Sequence, residues 1–257
     1  MLTRIITGLV LGPLVLWLLL DGQPWMVALL FVLAAGLCVN ELVAMVLPGQ
    51  HVERLVAVVL SVSILVLLWR TPGRIGAMAV ATLLVPAFTV LARPKPLETA
   101  GLRIATLWGS LIYIVVPFAF GLSVALLPER MTIVMLLALV WAGDTGAYFV
   151  GRAIGRHKLY PTVSPKKTIE GAIGGLAASV GVAILITQVW LTRIDIPHAV
   201  LIGLLGGMAA QMGDLVESLI KRSCGVKDSG TLLPGHGGML DRVDGVIFAF
   251  PVVAALL

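Results

Sequence analysis

Charged residues are scarce in this chain: they make up 12% of its 257 residues, against about a quarter in an ordinary soluble domain. Hydrophobic residues reach 59%, and the mean hydropathy is +1.06. A soluble core of this size could not bury so much apolar surface, so the composition excludes a soluble globular protein. We therefore expect an all-α, polytopic integral membrane protein.

Cysteine is also scarce, and the two cysteines, Cys38 and Cys224, lie far apart. They exclude a disulfide framework and a cysteine-based metal site. The sequence pI of about 9.6 would indicate nucleic acid for a soluble protein. In a membrane protein the same excess of Lys and Arg indicates cytoplasmic loops instead, and we expect no nucleic-acid partner. Residues 1–22 resemble a signal peptide but lack an A-x-A cleavage pattern, so we interpret them as a retained first helix.

Apolar runs separated by polar or Pro/Gly positions predict about nine transmembrane helices. Their expected bounds are 4–20, 24–47, 53–69, 74–92, 104–127, 131–151, 171–192, 197–220 and 242–257. We expect residues 1–130 to be a scaffold for dimerisation or lipid access. Residues 131–257 would form the catalytic region, with cytoplasmic loops 152–170 and 221–241.

The distribution of basic residues gives the orientation of this layout. With a cytoplasmic N-terminus, 14 of the 18 Lys and Arg residues fall on the inner side. The exceptions are Arg70, Arg74, Arg130 and Arg193. This asymmetry supports both the number of helices and a site that faces the cytoplasm, in what we expect to be a bacterial inner membrane.

Acidic residues inside apolar spans are costly and usually mark function. Counted from the cytoplasmic helix ends, Asp144 lies about 12 Å and Asp214 about 10 Å below the surface. Asp144, Tyr148 and Arg152 share one helix face, because they are spaced at i, i+4 and i+8. A second face, at i, i+3, i+4 and i+7, carries Asp214, Glu217, Ser218 and Lys221. A buried ion pair that only joins helices is the alternative, with about even odds for Asp144. Glu41 is also intramembrane, but its partner cannot be read from the sequence.

The segment KDSGTLLPGHGGMLDRVDG, residues 227–245, combines the groups that phosphoryl transfer requires. Asp241 and Asp244 begin the last helix at i and i+3, and with Asp214 they supply hard oxygen ligands suited to Mg²⁺ rather than Zn²⁺. Asp241 could instead cap that helix. Residues 234–238, with little side chain, could form an anion cradle, although most Gly-rich turns are simply turns.

The loop before the seventh helix, YPTVSPKKTIEG, adds Lys166, Lys167, Thr168 and Glu170. Lys166 could equally be a headgroup anchor, and Glu170 could simply favour the helix dipole. His236 could be a base, a phosphate donor or a structural hydrogen-bond donor, and we favour the phosphate donor. Gly171, Gly174, Gly175 and Ala178 predict a helix-packing face.

Four linked motifs resemble the signature of the phosphatidate cytidylyltransferase (CDP-diacylglycerol synthase) family. They are Ser218-x-x-Lys221-Arg222, Lys227-Asp228-x-Gly230, Pro234-x-His236-Gly237-Gly238 and Asp241-Arg242-x-Asp244. Two further segments are similar to the family's: Asp144-x-x-x-Tyr148 and Ser164-Pro165-x-Lys167-Thr168-x-Glu170-Gly171. The resemblance covers roughly the C-terminal half, whereas the first five helices match only in being apolar.

The resemblance implies that CTP and phosphatidic acid react to CDP-diacylglycerol and pyrophosphate with Mg²⁺, and it allows a second cation such as K⁺. It also implies a homodimer among membrane phospholipids, metal ligands at Asp214, Asp241 and Asp244, and phosphate contacts at Lys167, Lys221, Arg222, Lys227 and Arg242. Together with the residue patterns it predicts catalytic roles for Asp214, Lys221, Arg222, Lys227, Asp228, His236, Asp241, Arg242 and Asp244. The predicted substrate-binding residues are Asp144, Tyr148, Ser164, Lys166, Lys167, Thr168, Glu170, Ser218, Gly237 and Gly238.

Two alternatives remain open at this point. Another CTP-dependent membrane transferase, such as a polyprenol kinase, would share the charged cytoplasmic loops. A cation-coupled transporter would use Asp144 and Asp214 as an ion path, but its site should be reachable from both sides. The short outer loops, with few charges, disfavour the transporter.

Overall fold

A computed structural model describes residues 2–232 and 237–257, with side chains from residue 12 onward. Its helices are α1 (Leu2–Asp21), α2 (Pro24–Val46), α3 (His51–Arg70), α4 (Ile75–Leu91), α5 (Ala100–Ser110), α6 (Val116–Ala125), α7 (Met131–Ile154), α8 (Ile169–Val189), α9 (Ile196–Ser223) and α10 (Leu240–Leu256). A π-helical segment, Leu111–Val115, joins α5 to α6. Within the described residues, seven helices are long and apolar enough to cross a membrane. The fold is therefore an all-α polytopic membrane protein, as predicted, although the number of nine spans is not confirmed.

One short sheet interrupts the helical fold. Strand β1 (Lys158–Tyr160) pairs antiparallel with β2 (Ser164–Thr168) in the loop between α7 and α8. In the turn of this hairpin the Val163 N–H donates to the Tyr160 carbonyl at 3.3 Å, and the Val163 side chain is buried. The sequence pattern did not predict the hairpin, which leads directly into α8.

The predicted packing face of small residues on α8 is confirmed. A Cβ atom at Gly175 would lie 2.7 Å from the Gly143 carbonyl oxygen of α7, and one at Gly146 would lie 2.7 Å from the Ala178 Cβ. Small residues on both helices let the backbones approach closely, which is how helices associate without a hydrophobic driving force between them. This close approach fixes the start of α8, where the hairpin ends, against the C-terminal part of α7.

An aromatic cluster joins the N-terminal and C-terminal halves. Phe31 of α2, Phe118 of α6 and Phe250 of α10 pack with ring centroids 5.6 to 6.1 Å apart. Gly121 makes room for this cluster, since a Cβ there would lie 2.7 Å from the Phe250 ring. The cluster holds α10 against the N-terminal helices, so the two halves share one core.

Helix α9 ends where its last carbonyls are satisfied by the following turn. Gly225 adopts a φ of 70°, and its N–H bonds the Arg222 carbonyl at 3.1 Å. The Val226 N–H bonds the Lys221 carbonyl at 3.0 Å. This is the Schellman arrangement, for which glycine is favoured in the left-handed region. It terminates α9 just after Lys221 and Arg222 and therefore keeps both residues at the helix end.

The packing of α8 predicts opposite effects for two glycines of that helix. Gly175→Ala should destabilise the protein by about 1–3 kcal/mol, because the methyl group would overlap the α7 backbone. The control, Gly181→Ala, meets no atom within 4 Å and should stabilise the helix by roughly 0.5–1 kcal/mol. Thermal unfolding of the purified variants in one detergent measures both, and equal melting temperatures would contradict the close approach of α7 and α8.

Candidate functional site

A cavity of about 390 Å³ opens between α7, the hairpin, α8 and α9. Charged and polar side chains from α7, the hairpin and α9 line it, whereas α8 contributes Gly171 and Ala172. The charged and polar ones that the sequence singled out are Asp144, Tyr148, Arg152, Lys166, Lys167, Thr168 and Asp214. The structure therefore brings residues from the predicted 152–170 loop together with both intramembrane aspartates.

The α7 wall of the cavity is the predicted Asp144 face. The Arg152 guanidinium donates a hydrogen bond to the Tyr148 hydroxyl at 2.9 Å, which confirms that the two side chains lie on the same side of the helix. Asp144 lies one turn deeper on this face and lines the cavity. The wall thus presents a cation near the cavity mouth and a carboxylate below it.

The hairpin reaches across the cavity to α9 through a lysine. Lys167 forms an ion pair with Asp214, and the Ser218 hydroxyl donates to the same carboxylate at 3.4 Å. Both side chains of the ion pair are only partly buried, at 29% and 28% exposed. Water or a ligand can therefore reach both partners, so the pair can open to admit a phosphate or a cation.

Two predicted binding residues have structural partners at the start of α8. The Thr168 hydroxyl caps the helix by accepting from the Gly171 N–H at 3.1 Å. Glu170 accepts from the backbone N–H groups of Arg156 and His157, at 3.1 and 3.2 Å, and also contacts the His157 ring. Glu170 thus fixes the chain entering the hairpin.

Ser164 lies in β2 opposite Tyr160. Its position in the sheet contributes to the hairpin that carries Lys166 and Lys167. A direct substrate contact of Ser164, Thr168 or Glu170 stays a prediction.

Lys221 lies between two carboxylates where α9 meets α10. It forms an ion pair with Glu217, which is fully buried, and its amine donates to Asp241 Oδ1 at 2.7 Å. Apart from this lysine, neither Glu217 oxygen has a hydrogen-bond partner within the described residues. The lysine is therefore the group that makes the burial of Glu217 tolerable, since an unpaired buried charge is strongly destabilising.

Asp241 uses its second oxygen to hold the polar loop. Oδ2 accepts from the Ser229 N–H at 2.9 Å, from the Ser229 hydroxyl at 3.0 Å and from the Gly238 N–H at 2.8 Å. Gly237 has a φ of 80°, and a Cβ there would lie 2.6 Å from this oxygen. Glycine at position 237 therefore allows the loop to approach Asp241 closely. The Asp241 side chain accepts hydrogen bonds from the loop and does not cap the first turn of α10, which was the alternative that the sequence left open.

Asp244 lies one turn into α10, beside Asp214. A Cβ at Gly213 would lie 2.5 Å from the Asp244 carbonyl oxygen, so α9 and α10 touch at this level. Asp144, Asp214 and Asp244 are close enough to repel one another electrostatically. Within the described part of the chain, the only hydrogen bond to the Asp244 side chain comes from the adjacent Gly245 N–H, at 2.8 Å.

The described residues contain no group of three or more His, Cys, Asp or Glu side chains arranged to hold a metal ion. Asp214 is paired with Lys167, and Asp241 is paired with Lys221. The predicted ligand set of Asp214, Asp241 and Asp244 therefore stays a prediction. Its oxygen-only chemistry suits Mg²⁺.

The remaining predicted cations, Arg222, Lys227 and Arg242, are exposed and do not line the cavity. Arg222 contacts the Val226 carbonyl at 3.3 Å, whereas Lys227 and Arg242 extend outward, as does Asp228. Exposed cations attract anions without fixing their position. His236 lies outside the described residues.

Two residues of the N-terminal half contact α10 or the loop before it, although sequence patterns assigned neither of them a role there. Glu41 of α2 contacts the loop before α10, and its only sequence signal was a carboxylate in an apolar run. Tyr113 lies in the π-helical segment and packs on Phe248 of α10, with ring centroids 6.0 Å apart. Within the described chain its hydroxyl has no hydrogen-bond partner. π-helical segments are frequent at functional sites.

The fold and the site together define a membrane protein with a cavity in which cations face carboxylates at the ends of apolar helices. Such a cavity suits a ligand that carries phosphate and requires a cation. The chain belongs to the Cytidylyltransferase family, whose model matches residues 2–257.

Individual relatives match over a shorter stretch. The phosphatidate cytidylyltransferase of Staphylococcus epidermidis is 46% identical over 125 residues, which are 49% of this chain and 48% of the relative. That of Staphylococcus haemolyticus is 50% identical over 118 residues, 46% of this chain and 45% of the relative. That of Bacillus subtilis is 46% identical over 118 residues, 46% of this chain and 44% of the relative. The chain thus spans about half the length of the curated relatives it matches.

The position of Lys221 predicts a stability effect that is separate from activity. Lys221→Met should destabilise the protein by about 3–5 kcal/mol, because it leaves Glu217 buried and unpaired. The double variant Glu217→Gln/Lys221→Met removes that buried charge and should recover much of the loss. Thermal unfolding measures both, and a double variant no more stable than Lys221→Met would contradict the pairing.

Proposed function

We propose that this chain is a phosphatidate cytidylyltransferase, a nucleotidyltransferase that converts CTP and phosphatidic acid to CDP-diacylglycerol and pyrophosphate. The observation that carries the proposal is the cavity in which Arg152, Lys166 and Lys167 face Asp144 and Asp214. Membership of the Cytidylyltransferase family and the names of the relatives support it. Of the signature motifs, Ser218-x-x-Lys221-Arg222 lies on α9, the helix that brings Asp214 to the cavity, and Asp241-Arg242-x-Asp244 lies on α10.

Exposed apolar side chains beside the cavity support a lipid substrate. Phe149 of α7 and Ile173 of α8 are both 63% exposed, and Ile154 is 62% exposed. In a membrane protein such surfaces face acyl chains, whereas the charged cavity lies at the helix ends. A phospholipid could therefore place its phosphate at Lys166 and Lys167 while its chains stay in the leaflet. CTP would enter from the water on the cytoplasmic side.

The reaction needs positioning and charge neutralisation more than proton transfer. A phosphate oxygen of phosphatidic acid forms a new P–O bond to the α-phosphorus of CTP, and the bond between the α- and β-phosphates breaks. The attacking oxygen is already largely ionised near neutral pH, so no strong base is required. Lys167, Lys166 and Arg152 offset the negative charge that two phosphate groups bring together, which is the main contribution a protein makes to phosphoryl transfer.

The donor set fits a divalent cation. Asp214 and Asp244 are hard oxygen donors on touching helices, and Asp144 lies close enough to interact with both. When bound, Mg²⁺ would neutralise phosphate charge and orient the CTP phosphates. Without the cation, Lys167 forms the ion pair with Asp214. Asp241 would contribute only after exchanging Lys221 or its loop donors. A second cation such as K⁺ has no assigned ligands.

The setting of the reaction belongs to the same proposal. The basic residues at the ends of α7 and α9 support a cytoplasmic active site in a bacterial inner membrane. We also propose that the protein is a homodimer, with residues 1–130 as the scaffold and residues 131–257 as the catalytic region.

The proposal is tested with purified protein, phosphatidic acid and CTP, with and without Mg²⁺. We expect CDP-diacylglycerol and pyrophosphate in equal amounts, formed only with the cation. Phosphorylation of a polyprenol with release of CDP would instead indicate a kinase. Cation uptake into liposomes without turnover would indicate a transporter.

In the same assay, Asp244→Asn should lower turnover at least about 100-fold, because it removes a carboxylate that would hold the divalent cation against the phosphates. Glu129→Gln is a matched control: Glu129 forms an exposed ion pair with Arg193 at 2.9 Å, and both lie in loops on the predicted outer side. This control should keep wild-type turnover. Near-normal activity of Asp244→Asn in folded protein would contradict the assigned carboxylate.

A further inference from the structure

The start of α10 is held by a carboxylate from the N-terminal half of the chain. Glu41 of α2 is 6% exposed, and its Oε1 accepts from the Met239 N–H at 2.8 Å. Its Oε2 accepts from the Leu240 N–H at 2.9 Å. The first N–H groups of a helix have no partner within the helix, and no side chain of α10 itself caps its N-terminus. Glu41 therefore caps α10 from another helix.

The same carboxylate is coupled to Asp241 through a shared hydroxyl. The Ser229 Oγ lies 3.0 Å from Glu41 Oε2 and 3.0 Å from Asp241 Oδ2. A serine hydroxyl has one proton, so it donates to one carboxylate at a time. Backbone N–H groups satisfy each carboxylate further, so Glu41 and Asp241 hold the same polar loop.

Two glycines of the signature make room for Glu41. A Cβ at Gly230 would lie 2.9 Å from Glu41 Oε1, and a Cβ at Gly238 would overlap both Ser229 and the Glu41 carboxylate. The loop can close around Glu41 only with glycine at these positions. Gly238 therefore packs against Glu41 in this structure, in addition to its predicted role in substrate binding.

We propose that Glu41 is a positioning residue for the transfer reaction, and this proposal rests on the proposed function above. By anchoring the loop and the first turn of α10, Glu41 sets the direction of Asp241 and the position of Asp244 relative to Asp214. Glu41 does not line the cavity and acts through the groups it holds. The bonds are charge-assisted and buried, which makes them stronger than bonds between neutral groups.

The test compares Glu41→Gln with a matched control, Glu53→Gln, in the full chain in detergent. Glu53 is a second buried glutamate, 2% exposed, and it forms an ion pair with Arg103 on α3 and α5. Both changes remove one buried charge and keep the shape of the side chain. The glutamine amide at position 41 would turn an N–H₂ group toward backbone donors, so at least one bond to the α10 start is lost.

Glu41→Gln should lower kcat about 10- to 100-fold, as loss of a residue that orients the reacting groups does. The KM for CTP should change less than threefold, since the cavity cations are unaltered. Hydrogen exchange of the Met239 and Leu240 amides should be at least about tenfold faster than in wild type, because each loses a charge-assisted bond. Glu53→Gln should alter neither quantity: we expect its kcat and its exchange at these two amides to equal those of wild type, even though it lowers the melting temperature.

Wild-type kcat in Glu41→Gln, or unchanged exchange at Met239 and Leu240, would overturn the proposal. So would a loss of kcat in Glu53→Gln as large as that in Glu41→Gln, because the effect would then be general destabilisation. If the wild-type protein forms no CDP-diacylglycerol, the proposed function fails. The exchange rates alone then decide whether Glu41 positions the loop.

Discussion

The contact of Lys221 with Glu217 and Asp241 is the interaction on which the site depends. Two carboxylates lie where α9 meets α10, and one lysine neutralises them. Asp241 gains further compensation from donors in the polar loop, whereas Glu217 has no partner other than Lys221 among the described residues. Because a buried charge must be paired, this constraint fixes α9, α10 and the loop to each other.

The same rule organises the other charged groups of this apolar chain. Lys167 of the hairpin pairs with Asp214, and Glu41 of α2 receives the free N–H groups of α10. The Lys167–Asp214 pair is partly exposed, whereas Glu41 is buried. This difference agrees with the different roles of the two contacts. An exposed pair can exchange partners with a phosphate or a cation, while a buried cap keeps a helix in place. The site thus combines a rigid α10 with a lysine that can release its aspartate.

The sequence was informative where local patterns determine structure. Apolar runs predicted the helix bounds to within a few residues, and spacing placed Tyr148 with Arg152, and Glu217 with Lys221, on common faces. The Glu41 contacts could not be predicted, because they join residues 188 to 199 positions apart. The hairpin and the π-helical segment were also missed, since both depend on packing against neighbouring helices. The predicted metal ligands Asp214 and Asp241 form ion pairs with lysines. The spacing of acidic residues along a helix does not reveal these tertiary contacts.

We propose that phosphate and a divalent cation meet between Asp214 of α9, which lines the cavity, and Asp244 of α10. Anomalous scattering from crystals grown with Mn²⁺ and CTP tests this placement, since Mn²⁺ accepts the same oxygen ligands as Mg²⁺. We expect an anomalous peak within coordination distance of both carboxylates, with Lys167 displaced from Asp214. A peak elsewhere in the protein, or CTP bound in the cavity with Lys167 still paired to Asp214 and no peak at Asp244, would contradict it.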